Sequence, residues 1–329
     1  MMYYIIDSCT NPYRNLAAEE YLFKSKRDSF FRLWRNEKAV IVGRYQNTAA
    51  EINREYLQSH GIAVVRRLTG GGAVFHDLGN INFSFFDNQK HDESTSDMFL
   101  RFTAPILDAL HSLGINASLE GRNDLCIEGK KISGNAIAVS HGRILQHGTL
   151  LFNSSMDELG QALLNRPEKY QDKAVKSNRA RVTNISEHLP KPMSVSEFIA
   201  YLADFISKAT NDAEPYEYSD LDRIGTDFLY TNRYSTDKWN FGLSPHYNFH
   251  NIAHYPSGLY EAYYNVDNGH IKDLHIYGDY FFTLPTEDFC RAINGSAPSE
   301  AELLERVNSV PFRSYFSGVE AEELVRLLL

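Results

Sequence analysis

One short stretch constrains this chain more than any other: Arg66-Arg67-Leu68-Thr69-Gly70-Gly71-Gly72-Ala73-Val74-Phe75-His76-Asp77. An unfolded glycine has more backbone freedom to lose than any other residue, so three in succession are costly to order. That cost makes sense where a ligand must come close to bare backbone N–H groups. Two arginines stand directly before the run, so the expected occupant is an anion, a phosphate first among them. A sharp surface turn seldom needs three glycines, and apolar, strand-like sequence flanks this one.

At 329 residues the chain has room for two domains. No apolar run reaches the ~18 residues of a spanning helix. Residues 1–7 lack the basic region and long apolar core of a signal peptide, and they read as a first strand. Cys9, Cys126 and Cys290 lie far apart, which argues against a disulfide framework and against a clustered metal site. The expectation is a cytoplasmic protein with no membrane segment. A net charge of −9 disfavours nonspecific binding to nucleic acid. Local charge runs the other way, because Arg66, Arg67, Arg122, Lys130, Lys131, Lys173, Lys176, Arg179 and Arg181 all fall mid-chain. An acidic chain with a basic centre suits an anionic small molecule or a docked acidic protein. For residues 173–181 plain solvated charge is also open.

Helix and strand signals alternate through the first two-thirds. Asn11-Pro12 precedes a helical run at 16–23 that contains Glu19 and Glu20. Residues 30–42 read as two short strands joined by the polar Arg35-Asn36-Glu37-Lys38 turn. Residues 51–59 read as a helix stopped by Gly61, and Ile62-Ala63-Val64-Val65 as a buried strand leading into the glycine loop. Ile81-Asn82-Phe83-Ser84-Phe85 alternates strictly, which puts its apolar side chains on one sheet face. An amphipathic helix is expected at 98–113, then strands over 118–153 with turns at Glu128-Gly129 and His141-Gly142. Another helix is expected at 198–206, with Ser194 and Glu197 at capping-box spacing. Residues 211–234 are polar and poorly patterned. A boundary falls near Gly242-Leu243-Ser244-Pro245. Beyond it, 259–282 read as a hairpin around Asp267-Asn268-Gly269, followed by short helices at 300–307 and 319–328. The expected layout is a domain over 1–243, a linker over 244–249 and a small second domain over 250–329.

The glycine loop lacks the Gly-Lys-Ser/Thr ending of a P-loop and the spacing of the dinucleotide fingerprint. A second constellation runs from Gly121-Arg122-Asn123-Asp124-Leu125 to Gly129-Lys130-Lys131-Ile132-Ser133-Gly134-Asn135-Ala136. Ile132 and Ala136 look core-facing, so Lys131 is expected to be partly desolvated and in need of an anionic partner such as a ligand carboxylate or phosphate. Lys130 fits a snorkelling surface lysine. Asn123 and Asp124 carry hard oxygens suited to Mg²⁺, although Asn-Asp before a turn is commonly a turn former. His246, His250 and His254 recur every four residues, but Pro245, Asn248 and Asn251 make a helical metal face doubtful, and they read as linker and surface residues.

Taken together these motifs resemble the lipoate–protein ligase A family. The matching text runs over residues 66–80, 121–125 and 129–136. His147-Gly148-Thr149-Leu150-Leu151, Arg181-Val182-Thr183-Asn184 and Trp239-Asn240-Phe241-Gly242 extend it, as do residues 15–20 and 43–47. The resemblance covers most of 1–243 in family order, and the small C-terminal unit resembles the family's accessory domain by layout. It implies an α+β (α/β) fold: a mixed-sheet, biotin/lipoyl ligase-like catalytic domain with a second, smaller α/β domain. It implies an ATP-dependent, Mg²⁺-assisted reaction in which lipoate becomes lipoyl-AMP. The lipoyl group then passes to a specific lysine of a carrier, either the lipoyl domain of a 2-oxoacid dehydrogenase acyltransferase subunit or the glycine cleavage H protein.

Carried over by position, ATP contacts fall on Arg67, Gly72, Ala73, Val74, Phe75 and Lys131. Lipoate contacts fall on Arg67, Gly71, Gly72, His76, Lys131 and Gly134, with Lys131 as the catalytic cation; Asp124 is the candidate Mg²⁺ ligand on its hard oxygens alone. His76 and His147 are assigned no catalytic role. Val74, Phe75, Phe83 and Phe85 are candidates for an apolar acyl slot and equally for plain core. One rival is an ATP-independent octanoyl or lipoyl amidotransferase that uses a cysteine thioester, for which Cys126 would be the candidate. Another is a noncatalytic lipoate-binding relative. A biotin–protein ligase is disfavoured by the lack of a Gly-Arg-Gly-Arg loop.

Overall fold

A computed structural model describes residues 2–163, 182–210, 213–241, 249–267 and 269–329. Among them fourteen strands run as β1 Met2–Ile6, β2 Ser29–Trp34, β3 Ala39–Val42, β4 Ala63–Arg66, β5 Val74–His76, β6 Asn80–Asn88 and β7 Ala117–Glu120. They continue as β8 Asp124–Ile127, β9 Lys130–Ser140, β10 Arg143–Leu151, β11 Glu214–Pro215, β12 Phe249–Tyr255, β13 Gly258–Asp267 and β14 His270–Gly278. Eight of them form a mixed sheet in the order β11-β1-β2-β6-β10-β9-β8-β7. A small sheet, β4-β3-β5, pairs β3 parallel to β4 and antiparallel to β5. The third sheet is the antiparallel β12-β13-β14. The mixed α/β expectation therefore holds.

One face of the large sheet carries the main apolar core. The Thr95–Ser112 helix brings Phe99, Phe102 and Ile106 onto it, and the Val195–Ala209 helix brings Phe198, Leu202 and Ile206. Ser94 with Asp97, and Ser194 with Glu197, close a capping box at the start of each. Alternation along β6 sends Ile81, Phe83 and Phe85 into this core. Phe83 and Phe85 are thus core residues and do not line the cavity described below. The polar set of β6 is buried as well: Asn82 and Ser84 lie under the Pro12–Ser25 helix, where Ser84 Oγ donates to Glu19 at 2.7 Å. That helix starts at Pro12, with Asn11 accepting the Tyr13 and Arg14 N–H groups.

Several expectations change. The helix expected over 51–59 is two pieces, Thr48–Glu51 and Arg54–Ser59, because Asn53 restarts the chain by accepting the Tyr56 N–H. The poorly patterned 211–234 stretch holds a helix, Asp220–Leu229, closed by a Ser219–Asp222 capping box. A further helix, Thr286–Ile293, follows β14. His250 and His254 sit on strand β12, not in a linker. The expected linker lies outside the described residues except for Phe249, as do His246, Asn268 and the basic residues Lys173, Lys176, Arg179 and Arg181. Cys9, Cys126 and Cys290 are all free thiols. Among the described residues no helix is long and apolar enough to cross a membrane.

Candidate active site

The glycine loop leaves β4 and returns as β5, so both its ends are fixed in the small sheet. Gly71 has a positive φ of 90°, and a Cβ built on Gly70 would lie 2.2 Å from the Tyr280 carbonyl oxygen. Glycine is required at the first for its backbone conformation and at the second for close approach. The two arginines before the loop divide their work. Arg66 is fully buried and donates to the carbonyls of Gly43, Arg44, Gln46, Trp239 and Asn240 and to Thr48 Oγ1. It is a scaffold residue. Arg67 donates from Nε to Thr69 Oγ1 at 3.0 Å, from Nη1 to the Ile41 carbonyl at 3.1 Å, and from Nη2 to Gly70 and Gly72 at 2.7 and 2.8 Å. It holds the loop's shape and keeps one of its five N–H donors in reserve. Burial pulls its guanidinium down to about 10, which leaves it charged at neutral pH.

A cavity of about 150 Å³ lies between the small sheet and the polar face of the large one. Arg67, Gly71, Gly72, Ala73, Val74 and His76 reach it from the loop and β5, and Lys131 and Gly134 reach it from β9. Eight of the assigned residues therefore share one space. Phe75 does not, because strand alternation turns it into the opposite apolar cluster with Val40 and Val42. Asp124 is absent from the lining, but its Oδ1 is 2.8 Å from Lys131 Nζ. Lys131 is less desolvated than expected: its side chain is 37% exposed, and its anionic partner here is that carboxylate. Lys130 is exposed, as a surface lysine would be. Arg122 turns elsewhere, covering the Phe281 ring at 4.1 Å.

The cavity runs inward from Lys131 to a buried end made by Leu16, Trp34, Ile41, His76 and Asn82, all within 3% of full burial. Trp34, Ile41 and Asn82 carry no motif in the sequence, because they come from β2, β3 and β6. The available signal was polar residues at alternate positions of an apolar strand. His147 also lines the cavity, and both its nitrogens are occupied. Glu19 Oε1 lies 2.9 Å from Nδ1, and Thr69 Oγ1 lies 2.7 Å from Nε2. Burial alone would raise Glu19, but His147 and Ser84 hold it below the usual carboxylate range. The ionised Glu19 therefore accepts the Nδ1–H hydrogen bond, and Nε2 is hydrogen-bonded to the Thr69 hydroxyl, which itself accepts from Arg67. One chain of hydrogen bonds links Trp34, Ser84, Glu19, His147, Thr69 and Arg67. His147 positions the loop and has no nitrogen left for proton transfer.

This arrangement is suited to hold an anion at Lys131 beside bare loop backbone, with an apolar tail running inward. Residues 11–207 match the lipoyl protein ligase A/B catalytic domain family, and residues 244–328 match the bacterial lipoate protein ligase C-terminus. The chain is 38% identical over 324 residues to lipoate–protein ligase 1 of Staphylococcus aureus, covering 98% of both. It is 37% identical over 333 residues to lipoate-protein ligase LplJ of Bacillus subtilis, covering 100% of both. Its structure is similar to that of P. falciparum LipL1 in complex with lipoate, with TM-score 0.80 and 26% identity, over 94% of this chain and 95% of that one. A bi-partite ligase from Thermoplasma acidophilum, described with its E2 lipoyl domain, gives 0.67 and 30%, over 76% and 100%. Lipoate-protein ligase A bound with ATP gives 0.65 and 28%, over 74% and 100%.

Proposed function

Because this chain belongs to the lipoate–protein ligase family, we propose that it activates lipoate with ATP and transfers the lipoyl group to a carrier lysine. The observation that carries this reading is the convergence of Arg67, the side-chain-free backbone of Gly72, and Lys131 on one cavity with a buried end. The acid's carboxylate lies at Lys131 and its chain runs inward past Ile41 and Leu16. Lipoate contacts are assigned to Arg67, Gly71, Gly72, His76, Lys131 and Gly134. ATP contacts are assigned to Arg67, Lys131 and the backbone from Gly72 to Phe75.

In the first step a lipoate oxygen attacks the α-phosphorus of ATP. The bond to the bridging oxygen breaks, and pyrophosphate leaves with the electron pair. Two anions must meet, so the Lys131 ammonium between them lowers their repulsion and stabilises charge growing on the phosphoryl oxygens. Mg²⁺ prefers hard oxygens and keeps few protein ligands when phosphates supply the rest. The half-exposed Asp124 carboxylate fits that need and is the residue that would hold it. The ion's contribution is to screen phosphate charge.

In the second step the neutral amine of a carrier lysine attacks the acyl carbonyl, and AMP departs. No enzyme nucleophile is needed. Cys126 suits the thioester alternative poorly: it is buried in β8, and burial together with Glu120 and Asp124 pushes its thiol up to about 11. The acceptors are lipoyl domains of 2-oxoacid dehydrogenase acyltransferase subunits and the H protein. The catalytic unit is assigned to 1–243, with a linker at 244–249 and an accessory unit at 250–329. The test is to incubate the protein with lipoate, apo carrier domain and Mg²⁺, with and without ATP, and to weigh the carrier by mass spectrometry. ATP-dependent addition of one lipoyl mass is expected, and no addition with ATP present would overturn the ligase reading.

A further inference from the structure

At the buried end of the cavity two polar side chains lack a hydrogen-bond partner among the described residues: His76 at Nε2 and Asn82 at Nδ2. They are 3% and 1% exposed. The tautomer of His76 follows from a chain that begins at an arginine, which can only donate. Arg32 Nη2 donates to Asn15 Oδ1 at 2.7 Å, which makes Nδ2 the donor end of Asn15. Asn15 Nδ2 donates to Asn36 Oδ1 at 2.9 Å, so Asn36 Nδ2 must donate to His76 Nδ1 at 3.1 Å. The proton of the neutral ring is therefore on Nε2. Asn82 and Asn80 share one side-chain amide hydrogen bond of 2.9 Å and leave one polar atom of each without a partner, so Asn82 adds a polar group at the same end.

A buried N–H without a partner is costly, and native structures keep few of them unless something else supplies the acceptor. These two stand where the far end of a bound acyl chain lies, opposite Lys131. This step rests on the ligase reading above. We propose that His76, supported by Asn82, selects acyl chains whose distal end carries acceptor lone pairs, the divalent sulfurs of a dithiolane, over chains that end in carbon alone. An all-carbon end of the same shape would bury the His76 N–H with no acceptor. A site built to donate to a substrate atom rejects the analogue lacking it. Sulfur is a weak acceptor, so the selection is modest.

The cleanest probe changes the ligand. 5-Cyclopentylpentanoate has the outline of lipoate with carbon in place of both sulfurs. Pyrophosphate release by the full-length protein with ATP and Mg²⁺ is measured for both acids in the wild type, His76→Phe and His76→Gln. The wild type is expected to favour lipoate by roughly tenfold in kcat/KM, mainly through KM. His76→Phe should bring that ratio within about threefold of unity, and His76→Gln, which keeps an N–H donor, should retain most of it. Equal kcat/KM for the two acids in the wild type overturns the proposal without depending on any variant. A ratio unchanged in a folded His76→Phe overturns it as well. Release with neither acid would instead bring down the ligase reading, and this proposal with it.

Discussion

Tyr45 and Glu287, 242 residues apart, share a 2.7 Å hydrogen bond from the phenol to Oε2. The Thr286 N–H donates to the same phenol oxygen at 3.1 Å, and the Tyr45 ring stacks on Tyr280 at 5.8 Å. Tyr45 thus belongs to the core of the C-terminal unit. The exchange is reciprocal, because Phe281 packs in the main core against Phe99 at 5.8 Å. Tyr45→Phe keeps the ring and strands the buried Thr286 N–H, so unfolding free energy should fall by about 1–2 kcal/mol. Tyr45→Ala should cost about 3–5 kcal/mol through the cavity it leaves. Urea unfolding measures both, and a Tyr45→Ala loss below about 1 kcal/mol would show that the units do not exchange these rings in solution.

The same interface reaches the anion loop, since the Gly71 N–H donates to the Tyr280 carbonyl at 3.3 Å. A methyl group on Gly70 would meet that carbonyl oxygen at 2.2 Å, and backbone must shift to make room. Gly70→Ala is therefore expected to destabilise by about 1–3 kcal/mol and to raise KM for ATP. Gly72 faces open space apart from Asp279 at 3.9 Å, so Gly72→Ala should fold normally. If thermal unfolding ranks Gly72→Ala as the worse of the two, the loop packs differently from this description.

Lys131 and Asp124 form an ion pair at the cavity mouth, each side chain 37% exposed. Lys131→Ala should leave stability nearly unchanged, because exposed pairs contribute roughly 0–1 kcal/mol. Pyrophosphate release should drop by about 10²–10³-fold, the scale of removing one charge-stabilising donor. Asp124→Asn keeps the ammonium and should lose far less, unless Mg²⁺ affinity falls with it. A magnesium titration of that variant separates the two roles, with a raised Mg²⁺ requirement expected if Asp124 holds the ion.

The site was legible where its chemistry sits in contiguous text. The glycine loop works through backbone that only glycine leaves bare, and Lys131 stands in a short polar run inside a strand, so both announce themselves. Residues that build the cavity from a distance do not. Trp34, Ile41 and Asn82 are ordinary strand residues until β2, β3 and β6 are brought together, and nothing local says which side of a three-residue strand Phe75 will take. The Asp220–Leu229 helix places Leu221, Ile224 and Phe228 at helical spacing, yet all three stay exposed, so the pattern points to no core. Its Ser219–Asp222 capping box was the readable sign. The contact of Tyr45 with Glu287 depends on the packing of two units and has no local signature.

Thr69 joins Arg67 to His147, and its hydroxyl is the narrowest link in that buried chain. Thr69→Val removes the link at nearly constant volume. It leaves Arg67 Nε and His147 Nε2 unpaired, which should cost about 1–3 kcal/mol of stability. Thr69→Ser keeps the hydroxyl and should recover most of it. If His147 acts only by positioning, His147→Gln should raise KM more than it lowers kcat and leave the pH profile of kcat in shape. A lost ionisation in that profile would instead make His147 a proton donor or acceptor.

His76 also governs stability in acid. Burial, with Arg67 and His147 nearby, pulls its ring from 6.5 down to about 3. Between those values the unfolded chain binds a proton that the folded chain refuses, so acid favours unfolding. The stability tied to the neutral ring is complete above pH 6.5 and drains away as pH falls toward 3. At ~1.4 kcal/mol per unit the full span is of order 5 kcal/mol. His76→Gln cannot titrate, so the pH dependence of its unfolding free energy should be flatter than wild type by about 3 kcal/mol between pH 6.5 and 4, with the two curves parallel above pH 7. Urea midpoints at a series of pH values measure the difference. Parallel curves across the acid range would mean that the ring takes up a proton in the folded protein as readily as in water.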